Sequence, residues 1–111
     1  MSFQFSPAAR NAALDAIETA IGTSPKLQLR SGALPANTAA TDAGNLLVEI
    51  ALPSDWLETA ATGVKTIKGT WTGTGAAAAG GGSNAGHFRI KNTAGTITHV
   101  QGTITITGGG G

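Results

Sequence analysis

Between Asn45 and Pro53 the chain places Leu46, Val48, Ile50 and Leu52 at every second position, its densest run of large apolar side chains. A period of two puts all four on one face of a β-strand. Leu47, Glu49 and Ala51 make the other face, which is only partly apolar. Gly44 and Asn45 punctuate the start, and Pro53 ends the strand because it has no N–H to give a ladder. The expectation is a central strand with one firmly buried face, around which the rest of the domain packs.

At 111 residues the chain is read as a single domain, 1–111, and a domain of this size removes roughly two thirds of its unfolded surface from water. Much of the apolar content is alanine, and the aromatics are Phe3, Phe5, Trp56, Trp71 and Phe88 alone. A core this thin predicts stability gained by association with further copies or with a partner. The absence of cysteine excludes a disulfide framework and a thiolate metal site. Met1 to Phe5 lack the basic and apolar regions of a secretion signal, and the uncharged run from Gly69 to Phe88 is too rich in glycine, threonine and serine to span a bilayer. A soluble protein made in the cytoplasm, with no membrane partner, is expected.

In chain order, residues 1–5 form an extended arm in which Phe3 and Phe5 alternate with polar residues. Ser6-Pro7 opens a helix, the hydroxyl capping free N–H groups and the proline taking the first helical position. That helix spans 6–22, with Ala13, Leu14, Ile17, Ala20 and Ile21 on one side, Asn11, Asp15, Glu18 and Thr19 on the other, and Gly22 as its stop. A β domain fills 26–111. Lys26–Gly32 alternates with Leu27 and Leu29 inward, Ala33–Gly44 is a loop, and Ser54 or Asp55 caps a turn that folds Trp56 over the core edge. Gly63–Thr72 reads as a third strand, and 73–86 as a flexible low-complexity loop. His87–Lys91 is a strand with Phe88 and Ile90 in and His87, Arg89 and Lys91 out. After a turn at Asn92–Gly95, residues 96–107 return as its partner, with a bulge near His99 or Val100, or a break near Gly102, to bring Ile97 and Val100 into phase. The predicted fold is mainly β, an antiparallel sandwich or barrel-like sheet, with one N-terminal α-helix.

Charge is unevenly laid out. Residues 1–58 hold six acids and three bases, and 59–111 hold Lys65, Lys68, Arg89 and Lys91 with no acid, so the halves carry −3 and +4. These four bases suit either a face for an acidic partner or solvated positions on strand exteriors. Without interleaved exposed aromatics they fall short of a nucleic-acid footprint, and no nucleic-acid partner is expected. Catalytic, cofactor and metal signals are weak throughout. Gly73-Thr74-Gly75 follows a predicted strand but precedes no amphipathic helix, and no acid after Glu58 could hold a ribose. His87 and His99 on paired strands are too few for a metal site. No serine sits in a nucleophile-elbow sequence, and Asp55 with Glu58 suits capping better than hydrolysis. Trp56 and Trp71 suit a core edge, or a carbohydrate-stacking platform if exposed. The chain is read as no enzyme, with no cofactor, no metal and no small-molecule substrate.

One pattern reaches further. Phe5-Ser6, Ala9-Arg10-Asn11-Ala12, Leu14-Asp15, Leu27, Leu29, Ser31-Gly32, Pro35, Leu46–Pro53, Trp56 and Gly86–Ile90 together resemble a family of small structural proteins of tailed bacteriophages. The resemblance covers nearly the whole chain and rests on structural residues. It implies a virion location and a minor capsid or decoration (cement) protein on the outside of the head, partnered by the major capsid protein and by copies of itself, often as a trimer. A tail, neck or baseplate component is the alternative, and a carbohydrate-binding or adhesion module a second one. Relatives continue past the glycine run, which implies a final hairpin that this chain lacks. Candidate partner contacts are Phe3, Phe5, Lys65, Lys68, Arg89 and Lys91, with the 73–86 loop.

Overall fold

The computed structural model describes residues 2–75 and 84–104. Helix α1 (Pro7–Ile21) is followed by β1 (Lys26–Ser31), β2 (Leu46–Ala51), β3 (Ala85–Lys91) and β4 (Thr98–Thr103). The strands form one antiparallel sheet in the order β2-β1-β3-β4. The fold is thus mainly β with an N-terminal helix.

Local chemistry accounts for each element. The Ser6 hydroxyl accepts from the Ala9 N–H at 3.1 Å and Pro7 occupies the first turn, so α1 starts where its free donors are met. Gly22, at φ 93°, donates its N–H to the Glu18 carbonyl and ends it. Leu27 faces Ile50 and Ile90, and Leu29 faces Val48 and Phe88, so one face of the sheet is continuously apolar. Ile21, Leu52, Trp56 and Ile90 form the buried centre on that side, with Leu27, Ile50, Leu57, Trp71, Phe88 and Val100 packed against it. Opposite Phe88 stands Gly102, where a Cβ would come within 2.5 Å of the ring.

Ladder slippages occur at three places. Leu47, Gly86 and His99 are each skipped between paired neighbours, and the last of these is the bulge the alternation of 96–107 requires. Gly86 is a glycine of necessity, since a Cβ there would lie 2.2 Å from the Gly32 carbonyl oxygen.

The structure corrects four of the expectations. β2 is an edge strand, and β1 is flanked on both sides. Richness in large side chains reports how well a strand packs through one face, whereas a central position needs two backbone partners. Gly63–Thr72 does not join the sheet. It folds back locally on 56–61 through isolated bridges at Leu57–Ile67 and Ala61–Val64, with Lys68 N–H donating to the Trp56 carbonyl and Glu58 N–H to the Thr66 carbonyl. Thr62 and Gly63, both at positive φ, form its tip. The loop expected over 73–86 yields its last two residues to β3, while 76–83 lie outside the described residues, as do 105–107 of the expected last strand. His87, Arg89 and Lys91, expected outward, are all buried. Among the described residues, no helix is long and apolar enough to cross a membrane.

Candidate functional site

The second face of the sheet is polar and covered. Its cross-strand rows bring Lys26, Gln28 and Arg30 of β1 beside Glu49 of β2 and beside Arg89 and Lys91 of β3. The loop 33–44 folds over them, held by Asp42. Arg89 Nη1 reaches Asp42 Oδ1 at 2.7 Å, while Lys91 Nζ and Arg30 Nη2 reach Oδ2 at 2.5 and 3.3 Å. Arg89 is only 1% exposed, and each of its N–H groups is used, on the carbonyls of Asn37 and Ala40, on Asp42 and on Gln101 Oε1. The Gln101 amide in turn donates to the Pro35 carbonyl. Gln28 extends the layer, donating to Glu49 and accepting from Arg30 Nε. A buried cation is tolerable only when it is paired and hydrogen-bonded, and here two loop carbonyls supply acceptors beside the side chains of Asp42 and Gln101.

Burial pushes the Asp42 carboxyl up, but hydrogen bonds from Lys91 and Arg89 and the charge of Arg30 outweigh it and hold it below the ordinary 3.8. A carboxyl depressed on folding contributes stability that is complete above its unfolded pKa and is lost as pH falls through the folded value. Thermal melting should therefore drop steeply between about pH 5 and about pH 2. Asp42→Asn should melt lower at neutral pH and show a shallower acid slope; parallel slopes would assign the acid loss elsewhere.

The same pairing recurs beyond the sheet. Lys65 Nζ contacts Asp15 Oδ1 at 2.7 Å, Glu18 Oε1 at 2.6 Å and the Glu58 carbonyl at 2.8 Å, so all three of its N–H groups have an acceptor. Desolvation pulls this ammonium down, but its bonds to Asp15 and Glu18 prevail and raise it. Lys68 is paired with Asp55 at 2.6 Å and stays exposed. Each of the four bases in the second half of the chain is therefore paired with an acid of the first. Of the four basic candidate contacts, Arg89 and Lys91 are enclosed under the 33–44 loop, Lys65 sits between α1 and the 56–68 turn, and Lys68 alone is open.

Helix α1 is attached by its polar side. Asn11 Oδ1 accepts from the Gly63 N–H and Asp15 Oδ1 from the Ala60 N–H, both at 2.9 Å. Ile21 is buried and Leu14 partly so, but Ala9, Ala13, Ala16 and Ala20 are exposed and Ile17 is 51% exposed. Phe3 and Phe5, at 76% and 63%, extend this surface, their rings edge to face at 5.4 Å. Phe5, Ala9, Ala13 and Leu14 line a shallow apolar cavity of ≈ 420 Å³ with Arg10 and Gly63. The amphipathic spacing of 7–21 was legible, but not which stripe would be covered.

The remaining signals take ordinary places. His87 pairs with Thr103, leaving His99 four residues away at its bulge. Among the described residues, no group of three metal-ligating side chains comes together. Trp56 is 3% exposed, donates its indole N–H to the Gly22 carbonyl at 3.0 Å and packs on the half-buried Trp71, so it offers no open stacking face. Comparison with protein-family models, with curated proteins and with solved structures gives no match.

Proposed function

We propose that the chain is a structural protein of a bacteriophage virion, of the minor capsid or decoration kind, that docks on the outside of the head through its N-terminal arm and α1. The supporting observation is the inverted attachment of α1. Its polar side is spent on the 58–65 segment, and Phe3, Phe5, Ile17 and the alanine row are left outward. An exposed apolar surface of this kind, on a helix fixed by hydrogen bonds, is suited to binding another protein. The resemblance of the sequence to small phage structural proteins supplies the context. A protein that binds the assembled shell and not its free subunits stabilises the shell by mass action. A tail, neck or baseplate position would use the same surface.

Cryo-electron microscopy of particles carrying this protein tests the reading. Regular copies over the head lattice are expected, with density from the arm and α1 at the contact. Density confined to the neck or tail would transfer the protein there, and its absence from particles would overturn both positions. Ile17→Asp with Phe5→Ser should leave the melting temperature of the free protein nearly unchanged, because surface substitutions usually stay within about 0.5 kcal/mol. The same pair should abolish co-sedimentation with particles.

A further inference from the structure

The polar layer carries more positive charge than its own carboxylates balance. Arg30, Arg89 and Lys91 share Asp42, and Lys26 shares Glu49 with Gln28. Four cations stand against two carboxylates. The other four acids of the chain are Asp15, Glu18, Asp55 and Glu58. The first two are committed to Lys65, the third to Lys68, and Glu58 lies on the segment that packs over the opposite face. None reaches the layer.

The excess sits beside a cavity. Arg89 is saturated, but Lys91, 7% exposed, has Asp42 as its one hydrogen-bond acceptor among the described residues. Lys65 shows what a satisfied ammonium in this protein looks like, with three oxygens for three N–H groups. Lys91 and Arg89 line an open cavity of ≈ 580 Å³ with Thr38, Thr41, Asp42 and Thr98. The cavity therefore combines a desolvated ammonium with free donors, a local charge excess of two, and threonine hydroxyls able to turn toward an acceptor.

We propose that this cavity binds a small dianionic oxyanion of the phosphate class. Its oxygens accept from Lys91 and from the hydroxyls of Thr41 and Thr98, and its two charges complete the balance that Asp42 and Glu49 leave open. Arg89 contributes charge and holds the wall; its N–H groups stay on the loop.

Inorganic phosphate titrated into the full chain, followed by amide chemical shifts at ionic strength matched with sodium chloride, tests this. Saturable shifts confined to Thr38–Asp42 and Thr96–Thr98, with a higher melting temperature, are expected. Lys91→Gln should weaken binding about tenfold or more, as loss of a charged hydrogen bond does. Because that variant also loses the Asp42 contact, Thr98→Val provides the second arm, keeping the ion pairs and binding several-fold more weakly. Shifts that chloride reproduces, or that never saturate, would reduce the effect to bulk screening and overturn the site. So would wild-type affinity in Thr98→Val.

Discussion

Asp42→Ala is expected to lose about 3–5 kcal/mol of folding stability, the cost of leaving buried charge without its partner. Three cations converge on this one carboxylate, and two of them, on Arg89 and Lys91, are almost wholly enclosed. Like charges forced together under a loop would repel, and the loop that supplies acceptors to Arg89 would lose its anchor. Native stability is about 5–15 kcal/mol, so the loss is a large fraction of the whole. Urea unfolding reads it directly, with Asp55→Ala as control, since an exposed pair such as Asp55–Lys68 is worth about 0–1 kcal/mol. Equal midpoint shifts in the two variants would refute the central role of Asp42. Adding Arg89→Met and Lys91→Met to Asp42→Ala should recover part of the loss, because an apolar replacement removes the uncompensated charges as well.

Trp56→Ala should cost a similar amount, about 3–5 kcal/mol, by a different route. Trp56 is the largest side chain of the buried cluster, and it joins elements far apart in the chain: Ile21 at the end of α1, Leu52 after β2 and Ile90 in β3. Its removal opens a cavity that those residues cannot fill without breaking other contacts, and leaves the Gly22 carbonyl without its indole donor. Trp56→Phe should fall between alanine and wild type. A loss below about 1 kcal/mol for the alanine variant would place the core elsewhere.

Much of the local structure was legible from residue order. Ser6-Pro7 and Gly22 bounded α1 because capping depends on a few adjacent residues. Alternation found the cores of β1, β2 and β3, and the phase conflict between Ile97 and Val100 called for a bulge near His99 or Val100 or a break near Gly102, of which the ladder makes the first. The misplaced Gly63–Thr72 strand had a passable alternation, but its positive-φ tip at Thr62-Gly63 turned it back on its own neighbour.

The candidate contacts divide along the same line. Phe3 and Phe5 precede the helix cap and remain exposed in the structure. Arg89 and Lys91 alternate with Phe88 and Ile90 in a pattern that reads the same whether the charges meet water or a carboxylate. Asp42 lies 47 residues from Arg89 and 49 from Lys91, beyond the reach of any periodicity. The segregation of acids and bases between the two halves was the available sign of such pairing.

Residue order alone settled where α1 begins and ends, where β1 and β2 lie, and that the acids and bases stand apart in the chain. Which strand is flanked, which faces are covered and where each charge is neutralised were settled by tertiary packing. The physical reason is that side-chain direction follows from local backbone geometry, whereas burial depends on what long-range contact covers that side. The loop over the polar face and the turn against α1 supplied that cover, and in both places it fell on polar residues.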